Sequence, residues 1–265
     1  MDMAGSKAGT TPVEVLLLMA RLLSPRDLIH LAQAIPGIEH QYNPRHWLGI
    51  RDQEGDTIFH RAAAEGLNDM IVSLLSKDFD TSVQNTQGLT ALHRAAQSGH
   101  LGTVMLLLSA GLDPNMRAVG GVTALNHAVK NGDLVMIQQL ISSGADVSVL
   151  TKGDYNILNW AVQYDSPGAL KTLLDHGANP TTKDAFGRSP LHHAAYQCNV
   201  EMMELILSVE SDYCCADHDG NSPADIVTRW KILQLVNLLG KPNCRLFLFR
   251  SIWTWSYERW TVSSR

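Results

Sequence analysis

The sequence predicts an all-α protein assembled from stacked copies of one two-helix unit, and three observations lead there. First, Gly55, Gly88 and Gly121 are separated by 33 residues, and the register runs on through Asp154 to Gly187 and Gly220. Second, other positions keep the same step: Thr57, Thr90 and Thr123; His60 and His93, then His192; Gly66, Gly99 and Gly132; Gly111, Gly144 and Gly177. Third, pairs of small residues followed by pairs of large apolar ones recur in the same register, as in Ala95-Ala96 and Leu107-Leu108. One such unit cannot bury its apolar face alone, so neighbouring units must stack.

Taken in chain order, residues 1–10 are expected to be disordered, and residues 11–48 to form a short helical module. There, Thr11-Pro12-Val-Glu14-Val-Leu16 opens a helix running to about Leu23, and Ser24-Pro25-Arg-Asp27-Leu28 starts a second that ends near Ile35, before Pro36. The repeats follow at 52–84, 85–117, 118–150, 151–183 and 184–216, with a partial sixth at 217–239. Each begins with a turn such as Asp52-Gln-Glu-Gly55 or Asp184-Ala-Phe-Gly187, with glycine where a positive φ is needed. Thr or Ser then caps a first helix, with Pro190 and Pro223 just inside, where a missing N–H costs little. Ala62-Ala63, Ala95-Ala96 and Ala194-Ala195 allow close helix approach, and Leu74-Leu75, Leu107-Leu108, Leu140-Ile141 and Leu173-Leu174 mark the second helices.

The fourth repeat departs most. Asn156, Ile157 and Asn159 replace Thr, Pro and His, and Asp165-Ser166-Pro167 replaces Gly-His between the helices. This makes it the candidate for the least stable part of the stack. In the sixth repeat Ser222-Pro223 persists, but Asp225 stands where histidine is expected.

Gly88-Leu-Thr90-Ala-Leu-His93-Arg-Ala-Ala96-Gln-Ser-Gly99-His100 resembles the ankyrin signature nearly throughout, and Gly187-Arg-Ser-Pro-Leu-His192-His-Ala-Ala195 resembles its first half. The resemblance implies a right-handed ankyrin-repeat solenoid of five repeats plus a degenerate C-terminal cap. It also implies that His60, His93 and His192 are structural hydrogen-bond bridges. Residues 11–48 resemble the first two-thirds of an F-box, through Pro12, Glu14, Leu16, Leu23 and Leu28. That resemblance implies contact by these residues with the Skp-type linker of a cullin ubiquitin ligase. The combination resembles an architecture common in filamentous fungi. The alternative is that the N-terminal helices cap the open end of the array.

A net charge of −5 argues against nucleic acid as a direct partner, since phosphate binding needs a basic surface. Cys198, Cys214, Cys215 and Cys244 form no disulfide framework, which favours an intracellular, reducing setting in the cytoplasm or nucleus. No stretch reaches the roughly 20 apolar residues of a bilayer span, and Val13 to Ala20 does not read as a signal peptide. Cys214-Cys215-Ala-Asp-His218 matches no established ligand spacing, so no metal is expected. No nucleophile elbow, P-loop, dinucleotide fingerprint or H-E-x-x-H occurs, so neither catalysis nor a cofactor is expected.

Helical spacing places the residue after each motif histidine, and those three and four further on, on the first helix's exposed side. This gives a ladder of Arg61, Arg94, His127, Trp160 and His193. Aromatics concentrate between residues 151 and 216, and Trp and Tyr dominate binding hot spots. The expected partner groove therefore centres on repeats four and five, with Tyr155, Trp160, Tyr164, Phe186, His193 and Tyr196, flanked by cationic Arg61, Arg94 and Lys130. The competing expectation is that Trp160 and Tyr164 pack between repeats. Residues 240–265 form an aromatic and basic tail, expected to fold over the last repeat as a cap, the alternatives being an interfacial segment at a membrane surface or the product of a wrongly predicted gene end. Two functions fit: an adaptor presenting a bound protein to a cullin-type ligase, or a regulatory binder such as a transcriptional coregulator or inhibitory scaffold.

Overall fold

The computed structural model describes residues 24–34, 49–76, 80–209 and 215–229. Among these the regular structure is helical: α1 (Pro25–Ala34), α2 (Ile58–Ala64), α3 (Asn68–Leu75), α4 (Ala91–Ser98), α5 (Leu101–Ser109), α6 (Ala124–Asn131), α7 (Leu134–Ser142), α8 (Ile157–Gln163), α9 (Pro167–Asp175), α10 (Pro190–Tyr196), α11 (Val200–Ser208) and α12 (Pro223–Arg229). A single 3₁₀ turn spans Val119–Gly121, and an isolated bridge joins Thr151 to Tyr155. The all-α class is as expected. Two compact units divide the chain, one within Met1–Ala128 plus Ser142–Ala145, the other within Val129–Ile141 plus Asp146–Arg265.

The repeat begins with a turn that its first side chain holds. Asp52 Oδ1 accepts the backbone N–H groups of Glu54 and Asp56, both at 2.9 Å. Asn85, Asp184 and Asp217 do the same in their own repeats. This is the Asx turn that makes Asp and Asn favoured here. The turn's closing glycine must take a positive φ; at Gly187 this is 76°, and an added Cβ would lie 2.6 Å from His218 Cδ2. Asp154 serves in the fourth repeat at φ 58°, which Asp tolerates better than most residues.

The motif histidines are clasps. Thr90 N–H donates to His93 Nδ1 at 3.2 Å, so the ring proton sits on Nε2, which donates to the Val122 carbonyl at 3.1 Å. His60 repeats this between Thr57 and Leu89, and His192 between Ser189 and Asn221. Each clasp joins the start of one helix to the turn of the following repeat. Burial drives the His93 pKa down to about 4, and those of His60 and His192 downward as well, so the neutral ring is the folded form.

Asparagine cannot span that gap. Asn126 Oδ1 accepts the Thr123 N–H at 2.8 Å, but its buried Nδ2 has no partner. At Asn159, completely buried, neither Oδ1 nor Nδ2 is bonded. The fourth repeat's helices form nonetheless: Asn156 accepts the Asn159 N–H at 2.8 Å, and Pro167 starts α9. Ser166 is the cap residue there, yet its side chain makes no capping bond. Asp165 turns the chain into α9 at φ 50°, where earlier repeats use glycine.

In the N-terminal unit α2 packs on α4 and α3 on α5. The contact is made by Ile58, Phe59, Ala62 and Ala63 of the first repeat and Leu92, Ala95, Ala96, Val104 and Leu107 of the second, all essentially inaccessible. Each buried Ile or Leu contributes about 2 kcal/mol by removing apolar surface from water. Helix α1 lies against α2 with Ile29 fully buried. Its start is held by a reciprocal pair, Ser24 N–H to the Asp27 carboxylate and Asp27 N–H to Ser24 Oγ, both at 3.3 Å.

In the C-terminal unit α8 packs on α10, α9 on α11 and α10 on α12. Leu158, Ala161, Val162, Leu170, Leu173, Leu191, Ala194, Ala195, Met202, Met203 and Ile206 form its core. Asp225 takes over part of the missing histidine's role: it accepts the Ser222 N–H at 2.9 Å and so caps α12. The expected remainder of the sixth repeat and the aromatic tail lie outside the described residues.

Candidate functional site

The N-terminal unit holds two of the expected groove residues, and both contact carboxylates of the first repeat. Arg61 Nε donates to Asp52 Oδ2 at 2.8 Å and lies 3.4 Å from Asp56. Arg94 reaches Asp56 at 2.6 Å and also pairs with Glu54. Asp56 itself is inaccessible to solvent and takes a further 2.7 Å bond from Asn85 Nδ2. Arg61 and Arg94 are therefore not free cations. The first repeat's acidic turn neutralises them, because leaving Asp56 buried and unpaired would cost several kcal/mol, about 3–5 by analogy with other buried pairs.

The remaining expected residues lie in the C-terminal unit, where helix starts and turn tips bring them into contact. Trp160, on α8, is half-buried; its Nε1–H donates to Thr151 Oγ1 at 3.2 Å. Its ring lies 5.6 Å from that of Tyr164, tilted by 31°. Lys130, exposed at the end of α6, places Nζ 5.6 Å from the Tyr164 ring centre. Tyr155 and His193 meet edge to face at 5.1 Å, and His193 Nε2 bonds Asp184 Oδ2 at 2.9 Å. Burial holds the His193 pKa down despite that carboxylate, so the ring is a neutral Nε2–H donor. Burial, reinforced by the Asp184 charge, pushes the Tyr155 phenol up to about 12.

Exposure separates anchors from presenters. Tyr155, Trp160 and His193 are partly buried and held by internal partners, whereas Phe186 is 61% exposed, Tyr196 38% and Tyr164 37%. The contacts of Trp160 with Thr151 and Tyr164 both lie within the fourth repeat, where its ring stands beside the exposed Tyr164.

Sequence reasoning missed Arg188. Its guanidinium lies 5.0 Å from the Phe186 ring centre and 5.1 Å from that of Tyr196. Nothing in the repeat pattern marks the residue, since the equivalent positions hold Leu89, Val122 and Tyr155. The available signal was a cation two residues from an exposed turn-tip aromatic.

Pro12, Glu14, Leu16 and Leu23 lie outside the described residues; Leu28 falls within α1. Among the described residues no group of three or more His, Cys, Asp or Glu could hold a metal ion. None of their helices is long and apolar enough to cross a membrane.

Comparison with known proteins agrees with this geometry. The family described as ankyrin repeats (3 copies) matches residues 28–118, 116–184 and 158–247, most of the chain. The protein belongs to the ankyrin-repeat family, a module of protein–protein interaction. It is similar to an ankyrin repeat protein of Acanthamoeba polyphaga mimivirus, with 32% identity over 63 residues, 24% of this chain. That match spans only 9% of the viral protein's length.

Proposed function

We propose that this chain is a non-enzymatic binder that recognises a partner protein through the aromatic face of its C-terminal unit. The carrying observation is the exposure of Tyr164, Phe186 and Tyr196 beside partly buried Trp160, Tyr155 and His193. Large aromatic rings give contact area at low entropic cost, and rigid backing keeps them in place for a partner. Lys130 and Arg188 rim the face with positive charge.

Between the two roles consistent with such a face, the regulatory binder is favoured by α1. Ile29 is buried against the first repeat, the behaviour of a cap on an array's open end. In the adaptor role, residues 11–48 resembling an F-box grip a Skp-type linker through Pro12, Glu14, Leu16, Leu23 and Leu28.

The test is affinity purification of the full chain beside a Phe186→Ser/Tyr196→Ser variant, with bound proteins identified by mass spectrometry. A partner present with the first and lost with the second supports the face, provided far-UV circular dichroism shows both folded. Equal recovery overturns it. A cullin and its linker, recovered with the full chain and lost in Leu16→Asp/Leu23→Asp, would select the adaptor role.

A further inference from the structure

Arg188 is arranged unlike the other arginines that contact the repeat turns. Arg61 and Arg94 are tied to carboxylates by short hydrogen bonds, and Arg51 donates to the carbonyls of Gly55 and Gln84 at 2.9 Å. The Arg188 guanidinium makes no hydrogen bond with any described residue, and its Nε is buried without one. Its nearest carboxylates, Asp217 and Asp219, stand at 3.8 Å, beyond hydrogen-bond reach. Asp217 is already occupied: Oδ1 holds the turn through the N–H groups of Asp219 and Asn221, and Oδ2 is within 3.4 Å of Tyr196 Oη. Asp219 is 73% exposed and only loosely engaged.

Arg188 is held by the pair of rings together with these two looser ion pairs. Cation–π contact with Phe186 and Tyr196 holds the guanidinium from its faces, while its two Nη groups make no hydrogen bond with any described residue. Two unbonded Nη groups can take a carboxylate end-on and bidentately, and a side chain already held by its neighbours loses less entropy on binding. The rings, Phe186 above all, offer apolar surface beside that point. Lys130 repeats the theme against Tyr164, with no carboxylate partner among the described residues.

We propose that the aromatic face recognises an acidic peptide segment of its partner, with one Asp or Glu side chain seated on Arg188 and a neighbouring apolar side chain on Phe186. This rests on the binding face proposed above and specifies its ligand chemistry. Asp219 is then an internal competitor for Arg188, displaced when the peptide carboxylate arrives.

The probe is a library of random dodecapeptides displayed on phage, selected on the full-length protein, with enriched peptides synthesised and titrated by fluorescence anisotropy. The expected peptides carry Asp or Glu next to an aliphatic or aromatic residue. Arg188→Gln weakens them about tenfold, Arg188→Lys weakens them less, and Asp219→Asn tightens them about threefold. Asp219 is exposed, so its variant keeps the test alive should Arg188→Gln fail to fold. Enriched peptides that lack acidic residues, or that bind Arg188→Gln and Asp219→Asn like the parent, overturn the acidic anchor. If those peptides are still lost in Phe186→Ser/Tyr196→Ser, the face itself stands. No enrichment on the parent protein overturns the face and the anchor together.

Discussion

Acid should loosen this protein through a group that makes no ion pair. His93 is buried at the joint between the second repeat and the following turn, neutral, with Nδ1 accepting and Nε2 donating. A protonated ring would have to give up the bond from Thr90 N–H and carry a charge in the core. Its folded pKa of about 4 lies below the ordinary 6.5, so between those values the unfolded chain binds the proton and the folded one does not. Stability from this group is therefore complete above about pH 6.5, erodes as pH falls, and is gone below about 4. The full shift corresponds to about 3 kcal/mol, and going from pH 7 to pH 5 removes about 2 kcal/mol of it. His60 and His192 shift in the same direction, so total acid sensitivity exceeds that of His93 alone. The perturbation that isolates His93 is His93→Asn, since Asn126 already accepts the cap N–H in this position. Urea denaturation followed by far-UV circular dichroism at pH 7 and pH 5 gives the comparison. The parent should lose about 2 kcal/mol more than the variant over that interval, while the variant is the weaker protein at pH 7. Identical pH dependence in the two proteins would refute the buried neutral clasp.

Two further perturbations test the backbone and the missing clasp. Gly187→Ala places a Cβ 2.6 Å from His218 Cδ2 at a φ of 76°, and should cost about 2 kcal/mol or more, read as a lower urea midpoint. Asn159→His should do the reverse: the imidazole can accept the Asn156 N–H and donate to the Arg188 carbonyl, the geometry His192 achieves with Asn221. About 1 kcal/mol of gain, with slower hydrogen exchange in α8, is the expected result, and a loss would show that the fourth repeat has no room for the ring.

The 33-residue register made the repeat, its turns and its clasps legible from sequence because each is set by residues close together in the chain. Asp52 holds a turn four residues long, Thr90 and His93 close a helix start across three positions, and Gly187 meets a local φ requirement. The positions of the exposed aromatics followed from the same register. Which charges are free did not. Arg94 lies 38 residues from Asp56 and 40 from Glu54, and only packing of the first two repeats brings them within reach. Arg61 and Arg94 therefore read as unpaired cations in the sequence and are ion-paired in the fold. Arg188 went unnoticed, although the fold sets it against Phe186 and Tyr196 with its carboxylate neighbours no nearer than 3.8 Å. Local pattern determines backbone conformation, whereas the availability of a charge depends on which distant side chains share its low-dielectric surroundings, and tertiary packing alone decides that.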